Sequence, residues 1–242
     1  MMKVPATEVK NNFGKYLRLA AREDIVIMKN GKEAARLTAS PNECGFSDGS
    51  LLIRENAAAY SFDGRKVPYE KFLEIRNNTD ERYEYIDGRI YLLASPKVTH
   101  QQVLYELAVI FHNWFKGKKC TPAISPFDIE LQRNAKNRNM VQPDLMVICD
   151  LDEKTGKDGY YKGVPTLIAE IVSHSTKSND FVRKLDLYMS CGVCEYWIVD
   201  PENRQIHVYL FKDKEIAENK TYAFNDRIKS FYFEDFSFEL SI

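Results

Sequence analysis

The sequence lacks any apolar run that approaches the roughly 20 residues of a membrane-spanning helix. The start of the chain, residues 1–5, also shows no hydrophobic segment of the kind found in a secretory signal peptide. We therefore expect a cytoplasmic protein with no membrane partner.

Cysteine is scarce, with five residues in 242. An odd count in a chain without an export signal argues against a disulfide framework. Cys191 and Cys194 form one close pair, but a closed zinc site needs four ligands and the sequence has no second close pair. We expect the cysteines to be thiols of the core.

A strong excess of either charge is also missing, since the formal net charge is -1. The hydrophobic share of 44% excludes a disordered chain, and 242 residues suffice for one large domain with a small companion. The charge is unevenly distributed, because residues 1–40 carry +4 and the remainder carries -5. This asymmetry indicates that the first forty residues meet a polyanion.

The first forty residues predict one helix followed by a hairpin. Thr7 is a suitable N-cap, and five apolar residues follow at helical spacing: Val9, Phe13, Tyr16, Leu17 and Ala20. Asn30-Gly31 separates two strand-like runs, which is a strong hairpin signal. One helix on one hairpin buries too little surface to be stable alone, so we expect a homodimer.

Residues 4–37, VPATEVKNNFGKYLRLAAREDIVIMKNGKEAARL, resemble the N-terminal module of the prevent-host-death antitoxins. The resemblance implies a dimer that binds operator DNA, with Thr7, Lys10, Asn11 and Arg18 near phosphates or bases. The alternative is a module kept only for dimerisation. The toxin-wrapping tail of that family is not recognisable after residue 40, so the sequence identifies no toxin partner. Residues 41–65 are interpreted as a linker.

Residues 66–242 predict a second domain of mixed α/β class, with a mixed central sheet flanked by helices. Asp87-Gly88 is the expected turn of a hairpin over residues 83–92. A helix over 97–116 has an apolar stripe and ends at Gly117. His100 lies in line with that stripe, either as a histidine at the edge of the core or as part of a polar site.

Two apolar strands are predicted to contain acids, Asp144 in residues 141–148 and Glu170 in residues 167–172. An unpaired carboxylate in a buried strand would cost several kcal/mol. A divalent cation such as Mg²⁺ or Mn²⁺ would compensate this charge. Asp144 follows a proline, so local turn chemistry is an alternative for that residue.

Lys184 is the only charge within the apolar arc of a helix that begins near Asn179 or Asp180 and runs to Gly192. Its ammonium either extends to the surface or reaches the two carboxylates. Asp180 either caps the helix or steadies Lys184, and we favour the cap. Asp144, Glu170 and Lys184 together suit metal-assisted hydrolysis of a phosphodiester bond.

Residues 66–242 resemble the Uma-type restriction-endonuclease family, a branch of the PD-(D/E)XK nuclease-like fold. The resemblance rests on four segments, at residues 83–88, 141–145, 170–176 and 195–201. It implies that Glu84, Asp144 and Glu170 ligate the metal and that Lys184 is the catalytic lysine. Lys184 is displaced onto the helix because Val172 occupies the usual lysine position.

Other residues of this region are weaker candidates. His174 stands where the family commonly has proline, and Gln142 is a further residue that could line the pocket. Three basic residues precede Asp144 and either contact a nucleic-acid backbone or lie in a solvated loop: Arg133, Lys136 and Arg138.

The sequence thus favours a Mg²⁺-dependent DNA endonuclease with an antitoxin-like DNA-binding module. The alternative is a non-catalytic DNA-binding regulator, or an antitoxin-like protein, built on a nuclease fold. The complete acid and lysine set favours the enzyme, whereas the net charge of -5 beyond residue 40 argues against strong autonomous DNA binding.

Overall fold

The computed structural model describes residues 2–11, 16, 20, 24–29, 31–37, 62–173 and 179–240. Arg18 and His174 lie outside these residues, as do the side chains of Lys10 and Asn11. The chain divides into two compact units, Met1–Leu52 and Ile53–Ile242, which are described separately.

The first unit is a small sheet with a helix. Its elements are β1 (Met2–Pro5), α1 (Ala6–Asn11), β2 (Ile25–Lys29) and β3 (Lys32–Leu37). β2 and β3 pair antiparallel, which confirms the predicted hairpin, and Gly31 adopts a φ of 76° between them. β1 adds a parallel strand beside β2, which the sequence did not predict because four residues show no period. Val9, Tyr16 and Ala20 are buried, as the helical spacing predicted.

The second unit is built around a six-stranded mixed sheet with the order β13-β12-β11-β10-β9-β6. β10 and β11 are parallel, whereas the other neighbours pair antiparallel. These strands are β6 (Thr121–Ile124), β9 (Leu145–Ile148), β10 (Leu167–Ile171), β11 (Glu195–Asp200), β12 (Gln205–Lys212) and β13 (Glu215–Ala223).

Helices cover both faces of this sheet. α3 (Val98–Phe115) packs on one face, where Leu107 and Phe111 join a large core cluster. α5 packs on the other face and consists of a π-helical turn, Asn179–Lys184, followed by an α-helix, Leu185–Cys191. A mixed central sheet flanked by helices is the fold class that the sequence predicted.

A four-stranded antiparallel sheet with the order β5-β4-β8-β7 packs against α2 (Tyr69–Asn77). Its strands are β4 (Tyr83–Ile86), β5 (Arg89–Leu92), β7 (Ile129–Asn134) and β8 (Asn137–Val141). The Asp87-Gly88 turn lies between β4 and β5 as predicted, with φ values of 49° and 83°. Residues 62–65 belong to this region, because the amide of Gly64 donates to the carbonyl of Ile90 at 2.7 Å. Three short elements complete the unit: α4 (Leu151–Lys154), β14 (Ile228–Lys229) and β15 (Ser237–Phe238).

The predicted strand over residues 141–148 is interrupted. β8 ends at Val141 and β9 begins at Leu145, so Asp144 lies directly before a strand rather than inside one. Pro143 has no amide hydrogen to contribute to a strand ladder, which explains the break.

The cysteine prediction is wrong for one pair, because Cys120 and Cys149 form a disulfide. β6 and β9 pair antiparallel with Thr121 opposite Ile148, and this register places the two cysteines opposite one another. Cys191 and Cys194 are half-buried free thiols, as expected. Within the described ranges, no helix has the length and apolar character needed to cross a bilayer.

Candidate active site

Three distant stretches of chain bring charged side chains together beneath α5. Glu84 lies on β4, Glu170 on β10 and Lys184 on α5. The Nζ atom of Lys184 donates to Oε1 of Glu84 and to Oε1 of Glu170, both at 2.9 Å. The three side chains are only 4–7% exposed. Lys184 therefore does not extend to the surface.

The strand register explains why Glu170 meets α5. Leu167, Ala169 and Ile171 belong to the core cluster on the α3 face of the sheet. Ile168 and Val172 belong to the cluster on the α5 face. Because side chains alternate along a strand, Glu170 points to the α5 face.

The surroundings of the pocket raise the pKa of both Glu170 and Lys184, for different reasons. Burial raises the pKa of Glu170; the ammonium of Lys184 opposes this effect, whereas Asp144, Asp180 and Glu84 add to it, and the pKa remains well above its ordinary value. Burial alone would lower the pKa of Lys184, but the surrounding carboxylates outweigh it and raise that pKa well above its ordinary value. Among the described residues, carboxylates thus outnumber lysines in this pocket.

Asp144 lies at the rim of this pocket with 18% of its side chain exposed. Its Oδ2 atom accepts from the amide of Ile171 at 2.8 Å and lies 3.1 Å from Nε2 of His100. Nδ1 of His100 is buried and has no hydrogen-bond partner among the described residues. His100 therefore contacts an acid of the polar site, in line with the second of its two interpretations from the sequence.

Asp180 and Gln142 also contact the pocket. Oδ1 of Asp180 lies 3.8 Å from Nζ of Lys184. This ion pair corresponds to the alternative in which Asp180 steadies Lys184, rather than to the helix cap that we favoured. The amide of Gln142 donates to Oε1 of Glu84 at 3.0 Å, and its side-chain Nε2 donates to Asp128 at 2.8 Å. Oε1 of Gln142 is buried without a partner in the described part of the chain.

Sequence reasoning missed Tyr188, Asp128 and Arg76. The hydroxyl of Tyr188 donates to Oε1 of Glu170 at 2.6 Å, and Asp128 bonds both Gln142 and Arg76. Tyr188 carried a usable signal, because it follows Lys184 by one helical turn within the same apolar arc. Arg76 and Asp128 carried none, because only tertiary packing brings α2 to this region.

The basic residues before Asp144 bond mainly to acids of the protein itself. Arg133 pairs with Asp87 and with Asp186, at 3.0 and 2.6 Å. Arg138 pairs with Glu130 at 2.6 Å, whereas Lys136 is exposed. In the first unit Thr7 is exposed.

Glu195 is a buried acid of the resemblance segments that lies outside the pocket. Glu195 on β11 accepts hydrogen bonds from the indole of Trp197, the hydroxyl of Ser230 and the amide of Tyr232. Hydrogen bonding alone satisfies this carboxylate, which makes it a useful reference for Glu170.

The donor set of the pocket fits a hard divalent cation by charge and by ligand type. Among the described residues, the carboxylates of Glu84, Glu170 and Asp180 lie around the ammonium of Lys184. A fourth carboxylate, that of Asp144, acts electrostatically on Glu170. Carboxylate oxygens are the ligands that Mg²⁺ prefers. Across the described ranges, however, no group of three or more His, Cys, Asp or Glu side chains lies close enough together to coordinate a metal ion. The ammonium of Lys184 lies between the two glutamates instead.

Comparison with known proteins agrees with this fold. The family described as "Uma2: Putative restriction endonuclease" matches residues 69–241. "Uncharacterized protein slr1290" of Synechocystis sp. is 26% identical over 165 residues, which cover 68% of this chain and 84% of that protein. A crystal structure from Anabaena variabilis, described as "a putative nuclease belonging to DUF820", has a TM-score of 0.58 at 15% identity and covers 72% of this chain and 94% of its own. The family match spans most of the chain, which therefore belongs to the Uma2 family.

Proposed function

We propose that this protein is a divalent-metal-dependent DNA endonuclease that hydrolyses phosphodiester bonds. One observation carries the proposal: the ammonium of Lys184 lies 2.9 Å from both Glu84 and Glu170 in a buried pocket that Asp144 borders. The description of the Uma2 family and that of the Anabaena variabilis protein as a nuclease support the same reaction class.

Glu84, Asp144 and Glu170 would hold Mg²⁺ or Mn²⁺ in this proposal. When bound, such a cation lowers the pKa of water and neutralises charge on the reacting phosphate. Lys184 adds a second positive charge, which stabilises the negative charge that develops on the phosphoryl oxygens. His100 and the amide of Ile171 hold the Asp144 carboxylate in place.

We also propose that residues 1–40 form a homodimer and contact DNA. Their charge of +4 suits a polyanion, whereas the remaining chain carries -5 and would repel one. The small module would then supply the affinity for DNA that the catalytic unit lacks. Thr7 is exposed and so available for such contacts.

The test is cleavage of supercoiled plasmid by the purified full-length protein with Mg²⁺ or Mn²⁺. We expect Glu170→Gln and Lys184→Met to lower the nicking rate by about 100-fold or more, because the first removes a proposed metal ligand and the second removes a positive charge that stabilises the transition state. Glu195→Gln is the matched control, because it makes the same change at a buried acid on the adjacent strand outside the pocket. This control should keep its nicking rate.

Nicking that survives both pocket substitutions would overturn the site assignment. If the unaltered protein nicks none of the DNA substrates tested, the result favours the alternative, a DNA-binding regulator on an inactive nuclease fold.

A further inference from the structure

The three proposed ligand carboxylates share one pattern, in which protein donors engage a single oxygen of each. Oε1 of Glu84 accepts from Lys184 and from the amide of Gln142. Oδ2 of Asp144 is held by His100 and by the amide of Ile171. Across the residues that the structure describes, no donor contacts the second oxygen of either carboxylate.

Glu170 follows the same pattern through a residue to which no role has been given. Its Oε1 atom accepts from Lys184 at 2.9 Å and from the hydroxyl of Tyr188 at 2.6 Å. Its Oε2 atom receives no donor within the described ranges. Two donors on one oxygen fix the plane of the carboxylate, because rotation about the last side-chain bond would break both hydrogen bonds.

Tyr188 is rigidly held. Its side chain is fully buried, and its ring lies edge-on to that of Tyr196 with 5.0 Å between centroids. The phenolic hydroxyl of a tyrosine is a hydrogen-bond donor at neutral pH. Lys184 lies one turn earlier on α5, so one helix supplies both donors.

We infer that Tyr188 is a positioning residue that holds Oε1 of Glu170 and leaves Oε2 available to the divalent cation. This inference rests on the proposed function, since it concerns the ligand set of that site. Tyr188 touches neither substrate nor cation and acts through Glu170 alone. The competing explanation is that Tyr188 only satisfies its own buried hydroxyl.

The experiment measures Mn²⁺ binding to the full-length protein by isothermal titration calorimetry and by the loss of the free-ion signal in electron paramagnetic resonance. Tyr188→Phe removes only the hydroxyl. We expect its dissociation constant for Mn²⁺ to rise about tenfold, the lower range for outer partners of a metal ligand. Circular dichroism and thermal unfolding verify that each variant is folded at the temperature of the titration.

Tyr196→Phe is the matched control. Tyr196 is equally buried on the same side of the sheet, but its hydroxyl donates to the backbone carbonyl of Asp180 at 3.2 Å and not to a proposed ligand. We expect the dissociation constant of Tyr196→Phe for Mn²⁺ to lie within about twofold of that of the unaltered protein. We expect Tyr188→Phe to cleave plasmid at the unaltered rate only when the Mn²⁺ concentration is raised about tenfold.

The outcomes separate the two proposals. If the unaltered protein binds Mn²⁺ and Tyr188→Phe binds it equally well, the positioning role is wrong while the proposed function stands. An equal loss of affinity in both tyrosine variants would likewise show a general packing effect. If the unaltered protein binds no Mn²⁺, the proposed function itself is overturned, and this inference with it.

Discussion

Lys184 neutralises part of a buried acidic pocket, and this makes it important for folding as well as for the proposed chemistry. Its ammonium has hydrogen bonds to Glu84 and Glu170 and lies near Asp180. Transfer of these charges out of water costs several kcal/mol for each ion, and the attraction between them only offsets that cost while both signs are present.

We expect Lys184→Met to lower the free energy of unfolding by about 3–5 kcal/mol, because it leaves two buried glutamates without their cation. Urea unfolding in a metal-free buffer measures the change. Lys119→Met is the matched control, since Lys119 is 75% exposed and lies 3.8 Å from Glu153. An exposed pair of this kind contributes less than about 1 kcal/mol. A loss as small as that of the control would show that the glutamates need no lysine in the folded state.

At the scale of elements, α5 determines where two of the site donors lie. Lys184 belongs to its π-helical turn and Tyr188 to its α-helical part. The helix ends at Cys191 and is capped by Gly192, which adopts a φ of 91° and whose amide lies 3.4 Å from the carbonyl of Met189. The amide of Val193 donates back to Tyr188 in the same turn, as in a glycine-terminated helix.

We expect Gly192→Ala to destabilise the protein by about 1–2 kcal/mol, because a left-handed backbone costs this much with a Cβ atom. Apart from its chain neighbours, no described residue has a heavy atom within 4 Å of the position that the new Cβ would occupy, so the cost comes from backbone conformation. Gly192→Asn should cost less, since asparagine adopts this conformation more readily. Thermal unfolding of both variants provides the comparison, and equal losses would argue against the backbone explanation.

Each hydrophobic cluster of the described residues draws its members from one of the two units. Val4, Val9, Tyr16, Ala20 and Ile25 form the buried cluster of the first unit. The three clusters of the second unit contain only residues from position 62 onward among those described. We therefore expect the cores of the second unit to form without the first unit.

We expect a chain that begins at residue 53 to unfold within about 4 °C of the full-length protein, a shift equivalent to about 1 kcal/mol for a domain of this size. The same truncation should abolish dimerisation and weaken DNA binding, if residues 1–40 carry both. Calorimetry, analytical ultracentrifugation and gel shift measure the three properties. A truncated protein that remains dimeric would assign self-association to the second unit instead.

Much of the architecture was predictable because local signals coincide with the folded structure. Asp87-Gly88 requires a left-handed turn, and the helix that ends before Gly117 has an apolar stripe at the right spacing. Glu170 and Lys184 were recognisable as charges at positions that otherwise bury apolar groups. The resemblance to the Uma-type family was confirmed by the match over residues 69–241.

The hairpins, the main helices and the charged residues that cannot remain unpaired in a core follow from local sequence patterns. Their partners follow from the packing of distant elements: His100 for Asp144, Tyr188 for Glu170, and Cys149 for Cys120. Periodicity reports which face of an element is buried, because it reflects the geometry of one helix or strand. It carries no information on which distant side chain lies opposite, since that depends on the order and register of the strands.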